Sequence, residues 1–196
     1  MKSIAKIVIV AMLVLGLAVT TTLAATPKSY VQGILGEVMA IQNNPGMSET
    51  ARARAINGII KRSFDLPLMA QDSLGPAYDR LGSAQRQEFI DVFSELFQAS
   101  YTNMVLRFLK RETVEYGSET QSGNRARLKT TLVRANDTIP VEYLLHQKGG
   151  SWILYDVVVD GVSILAKYKS GFAREIQARS FESLMQKMRT QLKAVR

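Results

Sequence analysis

The period of the apolar residues changes twice along this chain, and the two changes fix where helices and strands can lie. Up to about Lys110, apolar residues recur every three or four positions. From Glu112 they recur every second position, and beyond Gly161 the helical spacing returns. Helices, then a block of strands, then helices again is the order any fold must satisfy.

The first helical run covers Tyr30 to Ile41, where Val31, Ile34, Leu35, Val38 and Gln42 share a face. Asn43-Asn44-Pro45-Gly46 stops it. A second helix runs from a Ser48 N-cap to Phe64, with Ile56, Ile59, Ile60 and Phe64 as its stripe. Short helical pieces follow Pro67 as far as Leu81. Ser83 is expected to cap the longest helix, Ala84 to Lys110, whose wide apolar face includes Phe89, Phe93, Phe97, Tyr101, Met104, Val105 and Phe108.

Four strands are predicted over Thr113–Gln121, Arg125–Ala135, Thr138–His146 and Trp152–Val159. Ser122-Gly123-Asn124, Asn136-Asp137 and Lys148-Gly149-Gly150 join them as tight hairpins, so the sheet is an antiparallel meander. Ile139, Val141, Tyr143 and Leu145 point one way in the third strand, and Glu142 and His146 the other. Such alternation belongs to a sheet with one covered and one wet face. Two helices, Ser163–Gln177 and Phe181–Leu192, close the chain. No linker divides it, and residues 25–196 read as a single domain.

Residues 1–24 read differently. Lys2 and Lys6 precede an apolar run from Ile7 to Val19, and Thr22-Leu23-Ala24-Ala25 offers small residues for a peptidase. This is the pattern of a cleavable secretory signal peptide, since about 20 apolar residues would be needed to span a membrane. An uncleaved anchor is the alternative. No cysteine lies near the cut to carry a lipid anchor, and the chain has none at all, so disulfides are excluded. Export without disulfides fits a bacterial periplasm. Removing the segment takes the formal charge from +8 to +6. Export argues against nucleic acid as the partner of this basic surface.

Residues that could carry chemistry are scarce. His146 is the only histidine, which leaves little for a triad or a His-based metal site, and its place on the wet strand face reads as solvated. Asp156 and Asp160 share one strand and its end, so they do not face each other across a cleft. Asp160 reads as a cap for the following helix or its turn, and Ser163 as an N-cap. No catalytic group, metal site or cofactor is assigned. What stands out is apolar and aromatic surface, and composition leaves open whether it fills a solid core or lines a cavity.

Three phrases carry a family resemblance. The first is Tyr155-Asp156-Val157-Val158-Val159-Asp160-Gly161-Val162-Ser163, followed by Tyr168 and Phe172. The second is Gln85-Arg86-Gln87-Glu88-Phe89 with Phe93, Leu96 and Tyr101, and the third is Arg62 to Leu66. The chain resembles the MlaC, or toluene-tolerance, family of periplasmic phospholipid-binding proteins, auxiliary components of an ABC transport system. Tyr78 departs from it, standing where a tryptophan is expected. The resemblance implies an α+β fold: a curled four-stranded antiparallel sheet packed with several helices around a hydrophobic lipid cavity. It also implies a non-enzymatic phospholipid carrier between an outer-membrane lipoprotein complex and an inner-membrane ABC lipid transporter, maintaining outer-membrane lipid asymmetry.

On that basis Val157 and Val159 are expected to line one wall of the cavity, with Tyr143 and Leu145 beside them on the sheet. Tyr101, Met104, Val105 and Phe108 would face them from the long helix, and Tyr168 and Phe172 would close over the same volume. Lys167, Lys169 and Arg174 would lie near the mouth, or form an ordinary solvated face. Three readings compete: a hopanoid or other apolar cargo, a solid-cored adaptor, and a small-substrate enzyme using Tyr143 and Asp156.

Overall fold

The computed structural model describes residues 25–109 and 112–196; the expected signal peptide lies outside them. The first layer is helical. Helix α1 (Pro27–Gln42) starts at a Thr26 N-cap, and α2 (Glu49–Ser63) starts at Ser48, whose hydroxyl accepts the Ala51 amide. Two short helices, α3 (Leu66–Leu74) and α4 (Pro76–Asp79), lead into α5 (Ser83–Phe108). The cap of α5 is Gly82 rather than Ser83. The Gln85 side chain reaches back to the Gly82 amide at 3.1 Å, so Ser83 is already the first helical residue. The helix also stops at Phe108, two residues before the predicted end.

The strands follow in a meander: β1 (Thr113–Ser122), β2 (Arg125–Val133), β3 (Thr138–Lys148) and β4 (Ser151–Val159). A short β5 (Val162–Ser163), unpredicted from the periodicity, folds back on β4 to give a five-stranded antiparallel sheet in chain order. Two-residue turns set the register. Lys148 pairs with Ser151 across Gly149-Gly150, and Val159 pairs with Val162 across Asp160-Gly161. Both residues of the second turn have positive φ, 48° at Asp160 and 74° at Gly161, the type I′ geometry that matches strand twist.

The covered face of the sheet forms columns. Leu128, Tyr143 and Val157 lie side by side on three strands, as do Thr130, Val141 and Val159. A bulge in β4 breaks the alternation at Tyr155, so Leu154 and Val157 share the covered face, paired with Leu145 and Tyr143, while Asp156 opposes Leu144 on the other face and is also buried. Helices α6 (Ile164–Ala178) and α7 (Phe181–Val195) complete the chain. α5 packs against α2, α3 and α7, and α6 packs against α3 and β4.

The core has two halves. Toward α6 and α7, the rings of Phe89, Phe93, Phe97 and Tyr101 climb α5 at four-residue spacing, with successive centroids 6.0, 6.1 and 5.4 Å apart. Tyr168 and Phe172 pack edge-on against Phe93. Phe89 and Phe93 are fully buried. The other half, between the sheet and the second half of α5, is not filled by side chains.

Candidate functional site

That unfilled space is a cavity of about 270 Å³. Its sheet wall is Leu132, Ile139, Val141, Tyr143, Leu154, Val157 and Val159. The opposite wall is the last two turns of α5 with its C-cap: Tyr101, Met104, Val105, Phe108 and Leu109. Ile34, Leu35 and Val38 of α1, and Ile59, Ile60, Ser63 and Phe64 at the end of α2, close the third side.

Burial grades along it. Ile59, Ile60, Leu154 and Val157 are buried at one end, whereas Phe108 is 53% exposed at the other. The open end therefore lies where the C-terminus of α5 meets the β2–β3 hairpin. Among the described residues, Arg134 is the one charged side chain of the lining.

Local bonds hold each wall. The last carbonyls of a helix have no partner within it. Here Gln42 Nε2 donates to Val105 O at 3.2 Å and to Leu109 O at 2.8 Å, and Arg134 Nη2 donates to Phe108 O at 3.0 Å. α1 and the sheet thus hold the end of α5 from two sides. The α2–α3 corner is fastened to the sheet by a parallel bridge between Phe64 and Leu154, with Asp65 N donating to Leu154 O at 2.7 Å.

Asp65 strengthens that corner. Its buried carboxylate caps α3 and receives Lys148 Nζ at 2.9 Å and lies 3.0 Å from His146 Nε2. Burial works against the charged carboxylate. Lys148, the Leu68 amide and His146 outweigh it, and the Asp65 pKa lies below the ordinary value. His146 is thus not a solvated residue: its side chain is 15% exposed and tied to a residue 81 positions earlier.

The polar side chains inside are Ser63 and two phenols. Burial, with Tyr143 and Asp156 nearby, pushes the Tyr101 pKa far above the tyrosine range. Burial and the neighbouring Tyr116 do the same to Tyr143, against a smaller opposing effect of the Thr130 hydroxyl. Both are neutral hydrogen-bonding groups at any ordinary pH.

Asp156 is not on the cavity lining. Its carboxylate accepts the Ser163 hydroxyl at 2.5 Å, the Val157 amide at 2.8 Å and the Leu165 amide at 3.0 Å. It is a knot between β4 and the start of α6, committed to structure. Asp160 caps nothing and occupies the turn, while Ser163 accepts the Ala166 amide as N-cap. Among the described residues, no group of three His, Cys, Asp or Glu side chains could hold a metal ion, and no helix is long and apolar enough to cross a membrane.

Of the ten residues expected at the cavity, Tyr101, Met104, Val105, Phe108, Tyr143, Val157 and Val159 lie on it. Leu145 does not; it is fully buried in the sheet core, in register with Ala126 and Leu154. Tyr168 and Phe172 do not either. They lie on a separate cleft between α6 and α7, with Lys167 at its edge, because α6 folds back over the aromatic ladder instead of over the open half of the sheet. Lys169 and Arg174 are exposed on α6, and neither they nor Lys167 line the cavity. The α1 and α2 wall was missed, although its stripe of Ile34, Leu35, Val38, Ile59 and Ile60 was legible as helical.

Fold and site together define a helix-covered antiparallel meander with an apolar cup open at one end. The model of the family described as "MlaC protein" matches residues 32–190, and the chain belongs to that family. It is similar to the toluene tolerance protein ttg2D of Pseudomonas putida, 26% identical over 80% of this chain and 76% of that protein. It is also similar to the intermembrane phospholipid transport system binding protein MlaC of Haemophilus influenzae, 24% identical over 59% of this chain and 56% of that protein. The fold matches that of a phospholipid-binding protein from Ralstonia solanacearum, solved in complex with a phospholipid. The TM-score is 0.75 at 20% identity, over 88% of this chain and 98% of that one.

Proposed function

We propose that this protein is a periplasmic phospholipid carrier. It takes acyl chains into the cup and shuttles lipid between an outer-membrane lipoprotein complex and an inner-membrane ABC transporter. The observation that carries the reading is the cavity itself, whose walls are aliphatic and aromatic apart from Ser63, the Tyr101 and Tyr143 hydroxyls and Arg134 at the rim. The names of the Haemophilus and Ralstonia relatives support the cargo. The basic, then apolar, then small-residue start of the chain supports export.

Energetics fit. A diacyl lipid exposes roughly 30 methylenes, whose hydration would cost on the order of 24 kcal/mol. A carrier must cover most of them and still release the lipid to a bilayer. Dry aliphatic walls do this without fixing the tails, and Met104 adapts to irregular chains. At about 270 Å³ the cavity sits just below the usual range of about 300–1,000 Å³ for ligand pockets, so two acyl chains require the walls to part. The α5 end, held by Gln42 and Arg134, is the wall with the fewest covalent and sheet constraints.

The test is mass spectrometry of lipid extracted from mature protein purified without detergent, with uptake from labelled phospholipid vesicles. Near-stoichiometric diacyl phospholipid is expected. A hopanoid mass keeps the carrier and changes its cargo. No bound lipid and no uptake refutes the carrier.

A further inference from the structure

We propose that Arg134 reads the phosphate of the bound lipid at the rim of the cup, and that Glu112 holds its place beside the guanidinium when no phosphate is there. The inference rests on the carrier reading above. It adds which ligand atoms the protein recognises and which side chain balances the guanidinium charge.

Position comes first. Lipid tails fill the buried end, between Ile59, Ile60, Leu154 and Val157, so the headgroup lies at the exposed end beside Phe108. Among the described residues Arg134 is the charged one of the lining, and its side chain is 27% exposed, which puts it at the boundary between tails and water.

Its bonding comes second. A guanidinium offers five N–H donors in a rigid fork that matches phosphate oxygens. Nη2 donates to Phe108 O at 3.0 Å, the guanidinium lies 5.7 Å from the centre of the Phe108 ring, and these contacts fix its plane. Nε is buried and makes no hydrogen bond in this structure, although Glu112 Oε1 lies 3.3 Å away. A buried donor whose ion-pair partner is not aligned to accept its hydrogen bond is incompletely satisfied, and that costs free energy. A group serving only to cap α5 has no need of it. A phosphodiester oxygen entering from the rim would supply that acceptor and displace the Glu112 carboxylate, itself only 14% exposed.

The exchange predicts a preference that tail burial alone cannot produce. Dioleoyl phosphatidylglycerol and dioleoylglycerol share their tails and differ in the phosphate headgroup. Binding of the two to the mature protein, with fluorescent-tailed probes, should favour the phospholipid by about tenfold, the worth of roughly one charge-assisted hydrogen bond in a part-exposed site. Arg134→Gln should erase that preference, bringing the ratio of the two affinities to about one whatever the lost tie to Phe108 O does to both lipids alike, and retained dioleoylglycerol binding shows that the variant is folded. Glu112→Gln should tighten phosphatidylglycerol several-fold and leave dioleoylglycerol unchanged.

Inorganic phosphate alone should give no Arg134-dependent thermal shift; an equal shift from free phosphate would mark an anion site independent of lipid and overturn the headgroup assignment. Equal binding of both lipids by the wild type, with Arg134→Gln without effect, would overturn the phosphate role and leave the carrier intact. Equal loss of both lipids in Arg134→Gln would make the residue a prop for α5 and overturn it too. A wild type that binds neither lipid would refute the carrier reading on which the inference rests.

Discussion

Removing the Asp156 carboxylate should unfasten α6 without touching the cup. The carboxylate is buried, on a residue 6% exposed, and accepts three donors: the Val157 amide, the Leu165 amide and the Ser163 hydroxyl. In Asp156→Ala all three lose their acceptor. Each buried donor left unpaired costs about 1–3 kcal/mol. The Ser163 hydroxyl can rotate, and the Leu165 amide is on a half-buried residue, so both fall at the low end. The sum is about 4 kcal/mol, which lowers Tm by roughly 10 °C in a chain of this length.

Asp156→Asn separates charge from geometry. Both amides bond Oδ1, which asparagine keeps, and its NH2 can donate to the Ser163 hydroxyl. The loss should be about 1.5 kcal/mol, the charge-assisted part of those bonds. The assay is urea unfolding followed by circular dichroism, comparing midpoints at constant slope. An Asp156→Ala midpoint within about 0.5 kcal/mol of wild type would refute the knot as a source of stability. A catalytic Asp156 would give the opposite pattern, with stability kept and a turnover lost.

Phe93→Ala should cost about 5 kcal/mol in the same assay, the top of the range for aromatic truncation, because the ring also loses paired contacts with Phe89, Phe97, Tyr168 and Phe172. Folded Phe93→Ala should take up lipid like the wild type, since Phe93 is not on the cavity lining. The Asp65 carboxylate has its pKa lowered in the folded protein, so its contribution is fully present above the unfolded value of about 3.9 and fades as pH falls through the folded one. The stability gap between wild type and Asp65→Asn, followed by acid titration of the unfolding midpoint, should therefore close below about pH 4. Gly161→Ala should cost about 1–2 kcal/mol by thermal melt, from backbone strain alone: φ is 74° and an added Cβ meets nothing within 4 Å.

Much of this architecture was legible because it depends on neighbours in sequence. The strands lie where the period is two, and the turns where Gly and Asn or Asp cluster, since hairpin geometry is local chemistry. Seven cavity residues were legible for the same reason, as each sits on the apolar face of its own element.

What failed depends on how elements lie against one another. α5 is apolar over a wide arc, and no periodicity says that Phe93 faces α6 while Val105 faces the sheet. Tyr168 and Phe172 therefore pack in the α6–α7 half of the core, which their own spacing does not reveal. Arg134 reads as one more polar residue near a strand end until the C-terminus of α5 is brought beside it. Asp65 and His146 are 81 residues apart, and their pairing leaves no trace in either segment. The bulge at Tyr155 puts Leu154 and Val157, three residues apart, on the same covered face, which alternation alone would not show.

The order of strands in the sheet is also their order in the chain, and this has a kinetic consequence. Each of the five strands finds its partner across a short turn, so the meander closes through small loops at little entropic cost. The Phe64–Leu154 bridge spans 90 residues and can form only after both ends are largely built. The sheet is thus expected to nucleate early, with α1 and α2 docking late onto a preformed floor. The last surfaces to meet during folding would be those that enclose the cup, and the seam that closes last is the natural one to part again.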